Sequence, residues 1–216
     1  MLERLPIALA AAVVGWCLGW ASALLSDWLM LKDELPRTGR NILVRDPFVQ
    51  GASALVWAAI PLALPGDWLR WAETGLVAGP LIQVAVTDIR TRYVYSIVAA
   101  IGAALGLAFG WQVHGSEMPW WTSVVGAVGG FAAFGLLWLL GRLIYRGREA
   151  MARGDITIAA MVGAGAAGCT PMALFLGVLF GAVIALGMLM AGRSRFATMP
   201  YGPGLCLGGL AALFFC

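Results

Sequence analysis

Charged side chains are scarce in this chain. Asp, Glu, Lys and Arg make up 12% of its 216 residues, about half the ~25% of a soluble domain. So few charges cannot cover a water-facing surface, which excludes an ordinary soluble domain. With 61% hydrophobic residues and a mean hydropathy of +0.87, the chain reads as an integral membrane protein. Its apolar runs are continuous rather than alternating, which excludes a transmembrane β-barrel. Walker and Rossmann phosphate-binding patterns are absent. Histidine occurs once, as His114, outside any HExxH context. It reads as a solvated loop residue rather than a metal ligand. The four cysteines, Cys17, Cys169, Cys206 and Cys216, form no CxxC pair and lie in or beside apolar segments. They read as small buried hydrophobes, not zinc ligands. No metal, no cofactor and no nucleic-acid partner are expected. The first apolar stretch, from about Pro6 to Leu31, is too long for the h-region of a cleavable signal peptide.

What the chain does have is apolar length and glycine. Eight candidate spans follow one another, over 6–31, 47–65, 72–88, 94–113, 120–145, 156–169, 171–192 and 203–216. The expected fold is an all-α polytopic bundle forming a single membrane domain over 1–216. Within it, residues 1–71 supply N-terminal helices with a short loop at 32–46, and 72–216 a core. The sixth and eighth spans are short, and 156–192 reads either as two spans or as one kinked span. Twelve of the fourteen Lys and Arg fall in alternate connections: Lys32, Arg37, Arg40, Arg45, then Arg90 and Arg92, then Arg142, Arg146, Arg148 and Arg153, then Arg193 and Arg195. The positive-inside rule puts those connections in the cytosol and both termini on the other side. The 29 glycines have a packing explanation, because small residues let membrane helices approach closely. "GAVGG" at 126–130 and "GAGAAG" at 163–168 fit it.

Most acids fall in connections or near the chain ends, but Asp27, Asp88 and Asp155 lie near apolar segments. Carboxylates at membrane depth are costly and mark function or pairing. Asp27 sits about one turn from the end of the first span and reads as structural or interfacial. Asp88 and Asp155 both fall at cytosolic ends of spans, hence at one depth on one face. If the bundle brings them together, repulsion and desolvation favour a shared proton. One carboxylate then activates water while the other protonates or polarises the substrate. The competing reading is structural, with Asp155 capping a helix that begins at Ile156 and Arg90, Arg92 or Arg153 pairing with the acids.

Three segments carry a resemblance: "DIRTRYVYS" at Asp88, "EAMARGDITIAAMVGA" around Asp155, and "MPYGPGLCLGG" at 199–209. In order and spacing they resemble the motifs of the type IV prepilin peptidases, the GxGD class of membrane aspartyl proteases, over roughly residues 75 to 216. The resemblance implies Asp88 and Asp155 as the catalytic pair. It implies supporting or substrate-binding roles for Arg153, Gly154, Glu149, Arg90, Pro200, Gly202 and Pro203. The implied partner is a prepilin or type II secretion pseudopilin, its leader cut at the cytosolic face of a bacterial inner membrane, with membrane lipids around the chain. Asp33, Glu34 and Glu149 could attract the basic leader. Ala152 replaces the first Gly of GxGD, a change tolerated if the backbone there is not left-handed. Thr157 stands where the family usually has Lys, and Tyr95 where it usually has Pro. The cysteine-bearing, zinc-binding insert associated with N-methylation is absent from the first loop, so trimming without methylation is expected. Two alternatives stay open. One is another GxGD membrane protease, of preflagellin or signal-peptide peptidase type. The other is a non-enzymatic scaffold or transporter subunit.

Overall fold

The computed structural model describes residues 2–32, 47–64, 68–91, 94–114, 118–144, 151–192 and 201–216. Among them there is no strand. Eight α-helices follow in order: α1 (Leu5–Lys32), α2 (Pro47–Ala63), α3 (Trp68–Thr91), α4 (Ser96–Val113), α5 (Trp121–Ile144), α6 (Arg153–Ala166), α7 (Thr170–Met190) and α8 (Gly202–Phe215). By length and composition, four helical stretches can cross a membrane: Leu5–Lys32, Ser96–Val113, Trp121–Ile144 and Arg153–Met190. The last of these is divided into α6 and α7 by a 3-10 turn over Ala167–Cys169. Leu, Val, Ile, Phe and Trp side chains stand exposed along α1, α5 and α7. An outer surface of that kind suits hydrocarbon rather than water.

The interior belongs to α6. Ile158, Ala159, Met161, Val162, Ala164 and Ala166 on its 14 residues are all buried. A helix of that length rises only about 21 Å, short of a ~30 Å hydrocarbon core. It survives because neighbours enclose it. Glycines let them come close. A Cβ on Gly126 of α5 would run into the Gly163 carbonyl of α6, and one on Gly163 into the Gly126 carbonyl. On α4, a Cβ on Gly106 would meet the Gly165 nitrogen at 2.7 Å. Both runs singled out in the sequence, 126–130 and 163–168, therefore serve helix packing.

The same contacts give helix directions. Gly102 of α4 faces Met161 and Gly106 faces Ala164, so α4 and α6 run the same way. Gly126 faces Gly163 and Gly130 faces Ala159, so α5 runs against them. Gly204 of α8 faces Gly181 of α7, and Gly208 faces Ala173, so that pair is antiparallel. Gly202 touches Ile158 and Gly209 touches Val162, so α8 runs with α6. Hence α7 reverses α6, and the chain doubles back at the turn. Ala167 makes the reversal, with φ 47° and ψ −120°, a region that costs a Cβ-bearing residue on the order of 1–3 kcal/mol. The Thr170 hydroxyl, 3.0 Å from the Gly163 carbonyl and 2.6 Å from that of Ala167, ties the turn down.

Several helix bounds differ from the expected spans. The third helix begins at Trp68 rather than 72, so the 71/72 division falls in its first turn. Its early charges are satisfied within the fold. Arg70 donates to the Val113 carbonyl at 2.8 Å, and the Glu73 carboxylate lies 2.6 Å from the Gln112 side-chain amide, which donates to it once turned nitrogen-first. His114 is not a solvated loop residue. It caps the end of α4, with Nε2 3.2 Å from the Gly165 carbonyl, and burial lowers its pKa below the ordinary 6.5.

Candidate functional site

Asp88 and Asp155 reach one end of the bundle from different helices. Asp88 lies in the last turn of α3 and Asp155 in the first turn of α6. Both are nearly closed off, at 6% and 5% exposure. The two carboxylates lie within electrostatic reach of each other. Asp155 is not the N-cap that the competing structural reading requires. The cap is Ala152, which has no side-chain hydrogen bond to offer, and α6 begins at Arg153. Asp155 is the third helical residue, and its carboxylate reaches back to the Ala152 backbone. This is the acidic half of a capping box. An acid there also faces the positive end of the helix dipole.

The third wall of the site is the start of α8. A Cβ on Gly202 would meet Asp88 Oδ2 at 2.5 Å and Ile158 Cδ1 at 2.9 Å. Glycine at this position is what lets the Asp88 carboxylate lie against the α8 backbone. Pro203 follows within the first turn of α8 and is fully buried. Proline suits this position, because the amide it lacks would have no helical partner there. Below Asp88, Thr87 bonds back to the Gln83 carbonyl at 2.9 Å. Gln83 in turn donates to the Ser26 hydroxyl at 2.8 Å and the Ser22 carbonyl at 3.0 Å. That buried chain fastens the Asp88 end of α3 to α1.

The remaining candidates divide. Arg153 is exposed and lies over the Trp138 ring of α5 at 5.5 Å, as does Arg142. Arg90 lies over Phe48 of α2 at 5.9 Å. These are cation–π contacts that arrange positive charge around the same end of the bundle. At Gly154 a Cβ would meet Val94 at 3.4 Å, an ordinary contact. No close approach among the described residues requires glycine at 154. Ala152, in the first GxGD position, has φ −72°, so alanine is unstrained there. Glu149 and Pro200 lie outside the described residues, as do Arg92, Asp33 and Glu34. Cys206 was missed. It is completely buried on α8, within electrostatic reach of both aspartates. Its only sequence signal was its place one turn after Gly202.

Two nearly closed-off carboxylates within electrostatic reach of each other suit acid and base work together. Two charges so placed repel each other, and a proton shared by such a pair would leave one acid and one base. The base can take a proton from water and the acid can polarise a carbonyl or protonate a leaving amine.

Comparison with known proteins gives the family of the chain. Residues 75–186 match the type IV leader peptidase family, a stretch that contains both aspartates. The prepilin leader peptidase/N-methyltransferase of Neisseria gonorrhoeae is 26% identical over 191 residues, covering 88% of this chain and 64% of its own length. That of Xanthomonas campestris pv. campestris is 26% identical over 202 residues, covering 91% and 68%. The type 4 prepilin-like proteins leader peptide-processing enzyme of an Escherichia coli O78:H11 strain is 28% identical over 192 residues, covering 88% and 68%. The chain thus spans about two thirds of the length of these relatives. No solved structure matches it. With its matched segment covering more than half of the sequence and enclosing the paired carboxylates, the chain belongs to the type IV leader peptidase family.

Proposed function

We propose that this chain is a membrane aspartic endopeptidase that removes the leader from type IV prepilins or type II secretion pseudopilins. The observation that carries the reading is the placement of Asp88 and Asp155, both buried and within electrostatic reach of each other, at one end of the bundle and inside the family-matched segment. In this mechanism one carboxylate withdraws a proton from water and the water attacks the scissile carbonyl. The other, protonated, polarises that carbonyl and then gives its proton to the leaving amine. Supporting roles fall to Gly202 and Pro203, which form the wall against Asp88. Arg90 and Arg153 are proposed to contact the leader's side of the substrate, and Gly154 to let it approach the Asp155 turn.

Orientation follows from charge. Eight spans, with both termini non-cytosolic, put the aspartates at the cytosolic face of the bacterial inner membrane. The alternating helix directions support that alternation. Cysteines introduced at Arg40 and Arg148 are expected to react with an impermeant reagent only from the cytosol, and those at Asp67 and Gly115 only from outside. Labelling of position 148 from outside would overturn the orientation and the location of the site.

Methylation is a separate matter. The first loop has no cysteine and cannot build a four-thiolate zinc site. Co-expression with a candidate prepilin is expected to give a mature pilin that lacks its leader and carries an unmodified N-terminal amine. A methylated product that depends on this chain alone would refute trimming without methylation. An uncleaved prepilin would count against the peptidase itself.

A further inference from the structure

Three side chains distant in sequence meet at the end of the bundle opposite the aspartates. His114 caps α4, Cys169 closes the 3-10 turn after α6, and Cys216 follows α8. A ring nitrogen of His114 and the two sulfurs all lie within 4.8 Å of one another. In the structure the two sulfurs are joined, with the Cα atoms 6.4 Å apart. A disulfide accounts for the cysteines but gives the histidine nothing to do.

The ring is oriented, however. Nε2 lies 3.2 Å from the Gly165 carbonyl, so Nε2 carries the hydrogen and donates it. Nδ1 therefore presents a bare lone pair, and it is buried with no hydrogen-bond partner among the described residues. An imidazole whose N–H is tied to a backbone carbonyl, leaving the other nitrogen free, is how proteins present histidine to a metal. The strained Ala167 (φ 47°) makes the reversal that delivers Cys169 to this point.

We propose that His114, Cys169 and Cys216, with both thiols reduced, form a binding site for one thiophilic metal ion, zinc or copper(I). Two thiolates and an imidazole are the ligands that such ions prefer. Thiolates bound to zinc at ~2.3 Å stand roughly 3.8 Å apart. The 6.4 Å Cα separation allows this by rotation about the Cα–Cβ bonds. Binding displaces the two thiol protons. Cys169 is buried and Cys216 exposed, so the fourth coordination position opens on the Cys216 side, where water completes the set. The site is independent of Asp88 and Asp155 and does not rest on the peptidase reading.

The test uses the full chain in detergent, reduced and then freed of reductant under argon. It is titrated with Zn²⁺ against a chromophoric chelator, and separately with Cu⁺ against a copper(I) chelator. One equivalent of at least one of the two metals is expected to bind the reduced chain, and none the oxidised chain. His114→Gln keeps both thiols and should weaken binding at least ~10-fold. Cys169→Ser should abolish binding, and Cys17→Ser should leave it unchanged. Co²⁺ loaded onto the reduced wild type, which needs no variant to fold, should give thiolate-to-cobalt charge-transfer absorption. Failure of the reduced wild type to take up either metal, absence of that absorption, or an affinity unaltered in a folded His114→Gln overturns the site.

Discussion

Asp88→Asn and Asp155→Asn are each expected to abolish leader removal, with losses of about 10³-fold or more, while both variants fold. The expectation comes from the division of labour between the two carboxylates. An amide can neither withdraw a proton from water nor hold one to donate. The fold should survive because Asn matches Asp in volume and still fits against Gly202. Burying an amide in place of a carboxylate also relieves the repulsion between the pair. Residues that act as a unit lose activity non-additively, so the double variant should match either single one. A loss that multiplied in the double variant would mean that the two acids act in separate steps.

Gly202→Ala is expected to lower the rate of cleavage by about 10²-fold with the protein still folded. The added Cβ would stand 2.5 Å from Asp88 Oδ2 and 2.9 Å from Ile158 Cδ1. The carboxylate must turn or α8 must retreat. A displacement near 1 Å at a reacting group costs on the order of 10²-fold in rate, and overpacking costs about 1–3 kcal/mol of stability. Gly187→Ala on α7, where a Cβ meets none of the described residues within 4 Å, is the matched control and should be close to neutral. Activity in Gly202→Ala equal to that of the control would show that Asp88 does not need this wall.

Much of this arrangement was legible in the chain. The shortage of charge gives an all-helical membrane protein, because only helices with internally bonded backbones suit long, continuously apolar runs. The alternation of Arg and Lys predicts Asp88 and Asp155 at a common end, and the two helix ends do meet there. The glycines at 126–130 and 163–168 were readable as packing seams, since little else explains such runs in lipid-embedded helices.

Other features left no local signal. The start of α6 at Arg153 escaped notice because its cap, Ala152, has no side chain that marks a helix start. Asp155, the cap in the competing structural reading, is the third residue in. The beginning of α3 was placed late because Arg70 and Glu73 lower the local hydropathy. Their partners, Val113 and Gln112, lie some forty residues away. The cysteines were read singly because 47 residues separate Cys169 from Cys216. Only the reversal at Ala167 and the shared direction of α6 and α8 bring them beside His114.

The most direct test of the paired aspartates is hydrolysis of an intact prepilin by the purified chain in lipid vesicles, in water enriched with heavy oxygen. Both products are weighed. The wild type should release a leader whose new carboxyl group carries one heavy oxygen atom, and Asp88→Asn and Asp155→Asn should release none. An undiminished yield of labelled leader from either variant, or no cleavage by the folded wild type, would contradict the account.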